Sequence, residues 1–229
     1  MKIDQAVAFV TGANRGIGKH IVEELQARGA KKIYSTARDP KSITTSGVIP
    51  VQLDVTNAEQ IAAAVSLASD ANLVINNAGI ATTTSILAPD AIAKMRDEHE
   101  TNVYGLLNVS RAFAPQLAGG TLVNLLSVVS WVTTPLLATY ASSKSTAWSV
   151  TNALRHELRA QHTKVIGVHV GFVDTDLTHG IDQPKIAPSA VAKSIVDGIA
   201  DGDEEIIVDE FSRLVHDNLT KSLYLTATR

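Results

Sequence analysis

Short, almost wholly apolar runs alternate along this chain with longer segments of helical period, and that alternation most constrains the fold. Residues 6–11 read AVAFVT, an unbroken run suited to a strand buried on both faces of a parallel sheet. Comparable runs lie at 32–36, 49–53, 73–76, 121–126, 164–170 and 205–208. Between them, residues 17–28 carry a stripe of Ile21, Val22 and Leu25 that Gly29 terminates. Further helical segments read at 58–69, 140–161 and 188–199, with a longer one after Pro89 running through Met95, Val103, Leu106, Leu107 and Val109. Strands alternating with helices predict an α/β fold with right-handed crossovers and a doubly wound parallel sheet of about seven strands, helices on both faces. The exception is the link 37–48, because a parallel crossover takes roughly a dozen or more residues. Pro40 and the run SITTSG at 42–47 predict a turn-rich connection there instead of a full helix. No repeat, low-complexity tract or linker interrupts the pattern, so residues 1–229 are expected to form one domain.

Composition removes several classes of function. A net charge of −3 without a long Lys or Arg run argues against nucleic acid or an anionic membrane as the main partner. There are no cysteines, which excludes disulfides, thiolate metal sites and Cys nucleophiles. The seven histidines, at 20, 99, 156, 162, 169, 179 and 216, show no metal-ligand spacing, and no metal is expected. His156 and His162 read as solvent-facing residues of a polar helix, and Asp174 and Asp176 as caps or loop charges. Met1 leads directly into a strand-like segment, and the apolar runs are too short to span a bilayer. The expectation is a cytoplasmic protein with no membrane partner.

Two segments carry chemistry. The first strand runs straight into Thr11-Gly12-Ala13-Asn14-Arg15-Gly16-Ile17-Gly18, where glycines let the backbone approach a pyrophosphate and the following helix points its positive end at it. Such a turn after the first strand of a doubly wound sheet suits a Rossmann-type dinucleotide site. The second segment is NLLSVVSWVTTPLLATYASSK at 124–144. Lys144 stands four residues after Tyr140, on the same face of a helix. An ammonium there is expected to favour the phenolate and lower a phenol pKa that is ordinarily about 10. Tyr140 could then exchange a proton with a substrate oxygen, while Ser127 holds that oxygen by a hydrogen bond.

The glycine spacing is G-x-x-x-G-x-G, and Asp54-Val55, Asn76-Asn77-Ala78-Gly79, Asn102, Ser127 and Tyr140-x-x-x-Lys144 follow in order. The chain thereby resembles the short-chain dehydrogenase/reductase family from Val7 to about Thr175. The resemblance implies a cofactor site made of Gly12, Asn14, Arg15, Gly16, Ile17 and Gly18 at the turn, and Asp54 and Val55 against the adenine. Asn76, Ala78 and Gly79 would line the channel and steady the sheet, with a simple turn as the alternative for Asn77 and Gly79. Gly171, Val173 and Thr175 would sit beside the nicotinamide, although Val170 stands where the family usually has proline, a departure that would loosen this loop. The implied catalytic set is Asn102, Ser127, Tyr140 and Lys144. In it Lys144 also binds the nicotinamide ribose, and Asn102 supports a water-linked proton relay or else merely packs.

Cofactor choice turns on the end of the second strand, Ser35-Thr36-Ala37-Arg38-Asp39. Ala37 takes the place of the acid that would bind ribose hydroxyls, and Arg38 would face a 2′-phosphate. Arg15 adds a second guanidinium, which favours NADP(H) over NAD(H), although both arginines could be solvated charges and Asp39 could touch a ribose. The expected reaction interconverts an alcohol and a ketone or aldehyde with an apolar portion. Val128, Trp131, Val132, Leu136 and Leu137 are read as the pocket wall, and the short loop 177–184 as leaving the site open. The alternatives are reduction of a 3-oxoacyl thioester and a non-catalytic redox sensor. A homodimer or homotetramer is expected by resemblance, through helices near 95–112 and 140–160, with Trp148 and Val150 either at the contact or packed on the sheet.

Overall fold

The computed structural model describes residues 1–221; residues 222–229 of the expected domain lie outside the described residues. Each expected strand is present to within one residue at either end. They are β1 (Val7–Val10), β2 (Lys32–Ala37), β3 (Ile49–Gln52), β4 (Leu73–Asn76), β5 (Thr121–Leu125), β6 (Lys164–His169) and β7 (Glu205–Ile207). All pair in parallel, in the order β3-β2-β1-β4-β5-β6-β7. The order reverses between β1 and β4, so the carboxyl ends of these two strands open onto a crevice where a ligand can enter.

The strands are apolar throughout because both faces are covered. Ala8 and Val10 of β1 point to one side, where α1 (Gly16–Ala27) and α6 (Pro188–Asp201) bury Ile21, Val22, Leu25, Val191, Ile195 and Ile199. Val7 and Phe9 point to the other, against α2 (Ala58–Leu67), α4 (Leu106–Phe113) and α5 (Ala138–Glu157). There Phe9 meets Phe113 with ring centroids 4.5 Å apart, and both rings are wholly buried. Burying one such side chain contributes about 1.5–3 kcal/mol. Trp148 and Val150 of α5 pack, partly buried, against this second core.

The β2–β3 link contains a single 3-10 turn, Pro40–Ser42, whose first amide is capped by Asp39: Lys41 N donates to its carboxylate at 3.0 Å. The long helix expected after Pro89 is broken into three. α3 (Ala91–His99) passes into a π-helical turn, Glu100–Gly105, before α4 resumes the ordinary period. α5 begins two residues before Tyr140 and ends in the 3-10 turn Leu158–Gln161. His162, expected on that helix, follows it in the left-handed conformation with φ 58. A further helix, α7 (Glu210–Asp217), is capped by Asp209, which accepts from Ser212 N at 2.9 Å. Among the described residues no helix is long and apolar enough to cross a membrane.

Candidate active site

The glycine turn occupies the crevice between β1 and β4. Gly12 has φ +63, and a Cβ there would press on Ala78 Cα, so β1 leaves the sheet directly over the end of β4. A Cβ on Gly18 would collide with Gly12 O and Asn77 Nδ2. The turn is locked from β4: Asn77 Nδ2 donates to Thr11 O and Gly12 O, both at 2.9 Å. Thr11 Oγ1 in return accepts from Asn77 N at 2.9 Å and Ala78 N at 3.0 Å. The first turn of α1 therefore faces the crevice from a braced base. Asn14, Gly16 and Ile17 are half-buried around it, Ile17 resting on the core below.

Arg15 and Arg38 stand exposed at this rim. Arg15 Nη1 pairs with Asp176 Oδ2 at 2.6 Å, across from a loop whose Thr175 methyl would lie 3.4 Å from a Cβ on Gly16. The glycine turn and the segment after β6 thus form two lips of one cleft. Asp54 follows β3, with its carboxyl held below the usual carboxylate range by hydrogen bonds from Thr56 N and Oγ1, and further by the charge of Arg38. Val55 is buried against the backbone of Gly105.

The proton-handling groups lie at the ends of β5 and α5. Ser127 caps the short turn Val128–Ser130, its Oγ accepting from Val129 N and donating to Val170 O, each at 3.3 Å. Lys144, 5% exposed, donates from Nζ to Leu125 O at 2.8 Å and stands 5.7 Å from the Tyr140 ring centroid. Burial pushes the Lys144 ammonium down to about 8. Burial pushes the Tyr140 hydroxyl above the ordinary phenol value, opposed by a hydrogen bond from Ser127 and reinforced by the charge of Glu98. The expected lowering of Tyr140 by Lys144 is thus reversed. Spacing set the two groups on one helix face, but burial decides the direction for both the hydroxyl and the ammonium.

Asn102 occupies the π-helical turn. Its Oδ1 accepts from Ile80 N at 2.9 Å, while Nδ2 donates to Ile80 O at 2.8 Å and to Ser143 Oγ at 2.9 Å. Ser143 Oγ donates on to Tyr140 O at 2.7 Å. One amide therefore ties the chain after β4 to the first turn of α5. Gly79 lies beside it, and a Cβ there would be 3.1 Å from Asn102 Oδ1 and 3.8 Å from Lys144 Nζ. Glycine turn, Ser127, Tyr140, Lys144 and Asn102 all gather at the carboxyl end of the sheet.

Comparison with known proteins shows the family. Residues 6–185 match the family model described as short chain dehydrogenase. The chain belongs to the short-chain dehydrogenase/reductase family. A solved short chain dehydrogenase from Burkholderia cenocepacia J2315, in complex with NADP, superimposes with a TM-score of 0.93 at 35% identity, covering 99% of this chain and 98% of that one. A family member from Burkholderia phymatum in complex with NAD gives a TM-score of 0.82 at 23% identity, over 97% and 96% of the two chains. The 3-oxoacyl-(acyl-carrier-protein) reductase of Vibrio cholerae serotype O1 is 31% identical over 194 residues, 80% of this chain and 79% of its own. The chain is thus an oxidoreductase of the short-chain dehydrogenase/reductase family, built on a single parallel seven-stranded sheet.

Several expected residues have parts that the structure makes specific. Asn76 steadies the sheet: it is buried, donating from Nδ2 to Ser110 Oγ at 3.0 Å and Asn124 Oδ1 at 2.9 Å. Asn124 Nδ2 continues to Thr151 Oγ1 at 3.0 Å, so this buried ladder joins α4, β4, β5 and α5 under the site. Val173 is likewise buried in the core and bridged to Ile186. The loop after Val170 is not loose, because Gly171 N donates to Asp209 Oδ2 at 2.7 Å. A carboxylate from the cap of α7 does the restraining that a proline ring would do in the family.

The expected apolar wall is also redistributed. Val128 and Val132 are buried with Val129, Ala141 and Val215 under α7, and Leu137 is buried as well. Trp131 and Val132 border a recess of about 380 Å³ with Ala138, Ser142 and Ser145, on a face of α5 other than that of Tyr140. Of the expected wall, Leu136 is the residue that stands exposed, at 66%. It lies on a segment whose carbonyl accepts from Thr84 N at 2.9 Å, close to exposed Ile86 and Leu87. Sequence reasoning passed over Thr11, Glu98 and Asp209. Thr11 stood within the glycine motif, whereas the partners of the other two are set by tertiary packing.

Proposed function

We propose that this chain is an NADP(H)-dependent oxidoreductase interconverting a ketone or aldehyde with its alcohol, Tyr140 acting as general acid and base. The observation that carries the reading is the joint placement of Ser127, Tyr140 and buried Lys144 beside a braced glycine turn. The residues fit a dinucleotide phosphate: Gly12 and Gly18 have no room for a Cβ and so let the turn pack tightly between the ends of β1 and β4 at the start of α1, and Arg15 and Arg38 supply guanidinium donors at its rim. The turn from Gly12 to Gly18, Asp54, Val55, Ala78, Gly79, Gly171 and Thr175 would hold the cofactor, with Lys144 on its ribose and Val173 contributing backbone alone. When bound, it supplies a hydride to the carbonyl carbon.

The chain's own residues do the rest. Ser127 turns its hydroxyl proton from Val170 O to the carbonyl oxygen as negative charge develops there. Tyr140, protonated because its burial disfavours the phenolate, delivers the proton; in oxidation it takes the proton back. Lys144, largely an ammonium below pH 8, stabilises the phenolate that proton transfer leaves behind. Asn102 acts through Ile80 and Ser143 and is a positioning residue. The exposed apolar residues Ile86, Leu87 and Leu136 favour a substrate with an apolar portion, and the name of the Vibrio cholerae relative makes 3-oxoacyl thioesters a class to test. We read the chain as one cytoplasmic unit that self-associates as a dimer or tetramer.

The test is oxidation of NADPH and of NADH by purified protein over apolar ketones, aldehydes and 3-oxoacyl thioesters. NADPH-dependent turnover of one class supports the reading. Faster turnover with NADH would refute the assignment of Arg15 and Arg38. Tight NADPH binding without turnover of any class would favour the redox sensor.

A further inference from the structure

His169 ends β6, is wholly buried, and takes no part in the chemistry proposed above. Its Nδ1 lies 3.1 Å from Ser127 O and its Nε2 lies 3.1 Å from Glu205 Oε1. A carbonyl oxygen only accepts, and so does an ionised carboxylate. Both ring nitrogens must then donate, which only the imidazolium does; a neutral ring would bury one lone pair against another. The alternative, a protonated Glu205 donating to Nε2, is disfavoured by the nearby Arg155 charge, which favours the ionised carboxylate. Glu205 is held below the usual carboxylate range chiefly by His169, and also by Arg155. The Arg155 guanidinium is fixed there by donating to Val165 O at 3.2 Å and Glu204 O at 2.9 Å.

Trp131 stacks on the His169 ring with centroids 3.8 Å apart and planes 16° off parallel, presenting its π-face to the charge. His216 of α7 lies on Trp131 at 5.2 Å, within 3.1 Å of the Asp217 carboxylate, and the Asp209 carboxylate is held on Gly171 N at 2.7 Å. The pair is also joined to the site at two points. His169 holds Ser127 O, and the next residue, Val170, accepts the Ser127 hydroxyl at 3.3 Å and Val128 N at 3.0 Å.

We propose that His169 is a buried imidazolium, charge-paired with Glu205, that positions Ser127 and sets a fixed positive charge behind it. The ion pair presents its positive end to Ser127, where the substrate oxygen gains negative charge in the reading above, on which this role rests. His169 is thus a positioning residue acting through Ser127. The positive end favours the charged oxygen in a low-dielectric interior more than it would in water.

Glu205→Gln separates charge from shape. A glutamine amide can donate to a neutral Nε2 while Nδ1 still donates to Ser127 O, so packing and hydrogen-bond count survive and the cation does not. The decisive experiment is nitrogen NMR of histidine-labelled protein at pH 7, with His169 assigned by its loss in His169→Gln. The proposal expects both ring nitrogens protonated in wild type and only one in Glu205→Gln, with the Ser127 carbonyl carbon resonance moving upfield. It further expects kcat/KM to fall about tenfold in Glu205→Gln, with the NADPH KM unchanged. A neutral ring in the wild type would overturn the pair. A cationic ring whose loss leaves the Ser127 resonance and kcat/KM unmoved would overturn the positioning role. Absence of carbonyl turnover would refute the proposed activity alone, because the NMR arms read the pair and its grip on Ser127 directly.

Discussion

Removing the Lys144 ammonium should change the pH dependence of folding in a way that can be calculated. Lys144 titrates at 10.5 under ordinary conditions and at about 8 in the fold, because burial penalises its charge. That depression corresponds to about 3 kcal/mol of stability forfeited at pH 7. The sign follows from proton counting. Between pH 8 and 10.5 the unfolded chain holds a proton on this lysine that the folded chain has released, so stability rises with pH there. Between pH 7 and 9.5 the relative gain is about 2 kcal/mol. Lys144→Met removes the linked proton, and whatever constant cost comes with losing the hydrogen bond to Leu125 O cancels when one pH is compared with another. Urea unfolding of both proteins at pH 7, 8, 9 and 9.5 reads the difference directly. Wild type should gain about 2 kcal/mol on the variant across that range. Parallel curves, agreeing within about 0.5 kcal/mol, would show that Lys144 is not held neutral-prone by burial.

The same titration should appear in catalysis: reductive kcat/KM should be flat below pH 7.5 and fall about tenfold per pH unit above pH 8, and a profile flat to pH 10 would contradict the role of Lys144. Arg38→Ala should raise the KM for NADPH by about 10- to 100-fold through loss of charge-assisted hydrogen bonds to a phosphate, with little change for NADH, measured by steady-state kinetics. Asp209→Ala frees Gly171 N and uncaps α7, and should lower stability by about 1–2 kcal/mol in thermal or urea unfolding; an unchanged transition would refute its clamping role.

The layout of the sheet was legible because burial on both faces writes itself as unbroken apolar runs, and Gly12, Gly16 and Gly18 marked where β1 must turn. The π-helical turn at Glu100–Gly105 was not legible. The apolar stripe of Val103, Leu106 and Val109 continues through it, and a stripe records which face is buried without recording the size of the hydrogen-bonded ring. The pocket wall was misplaced for a related reason: Val128 and Val132 are apolar because they sit beneath α7, a helix absent from the sequence reading. Asp209 reaches Gly171 across 38 residues, and the wholly buried Glu98 accepts from half-buried Thr82; no local spacing announces either. The direction of the Tyr140 shift failed because a Tyr-x-x-x-Lys spacing fixes proximity but says nothing about desolvation.

The most direct test of the account is a single turnover with NADPH deuterated at its reactive carbon and a carbonyl substrate found in the panel, for wild type and Tyr140→Phe. The account predicts one deuterium on the carbinol carbon of the product, and a rate at least about 10²-fold lower in the variant. Deuterium missing from that carbon, or a Tyr140→Phe protein as fast as wild type, would contradict hydride transfer to a carbonyl protonated by Tyr140.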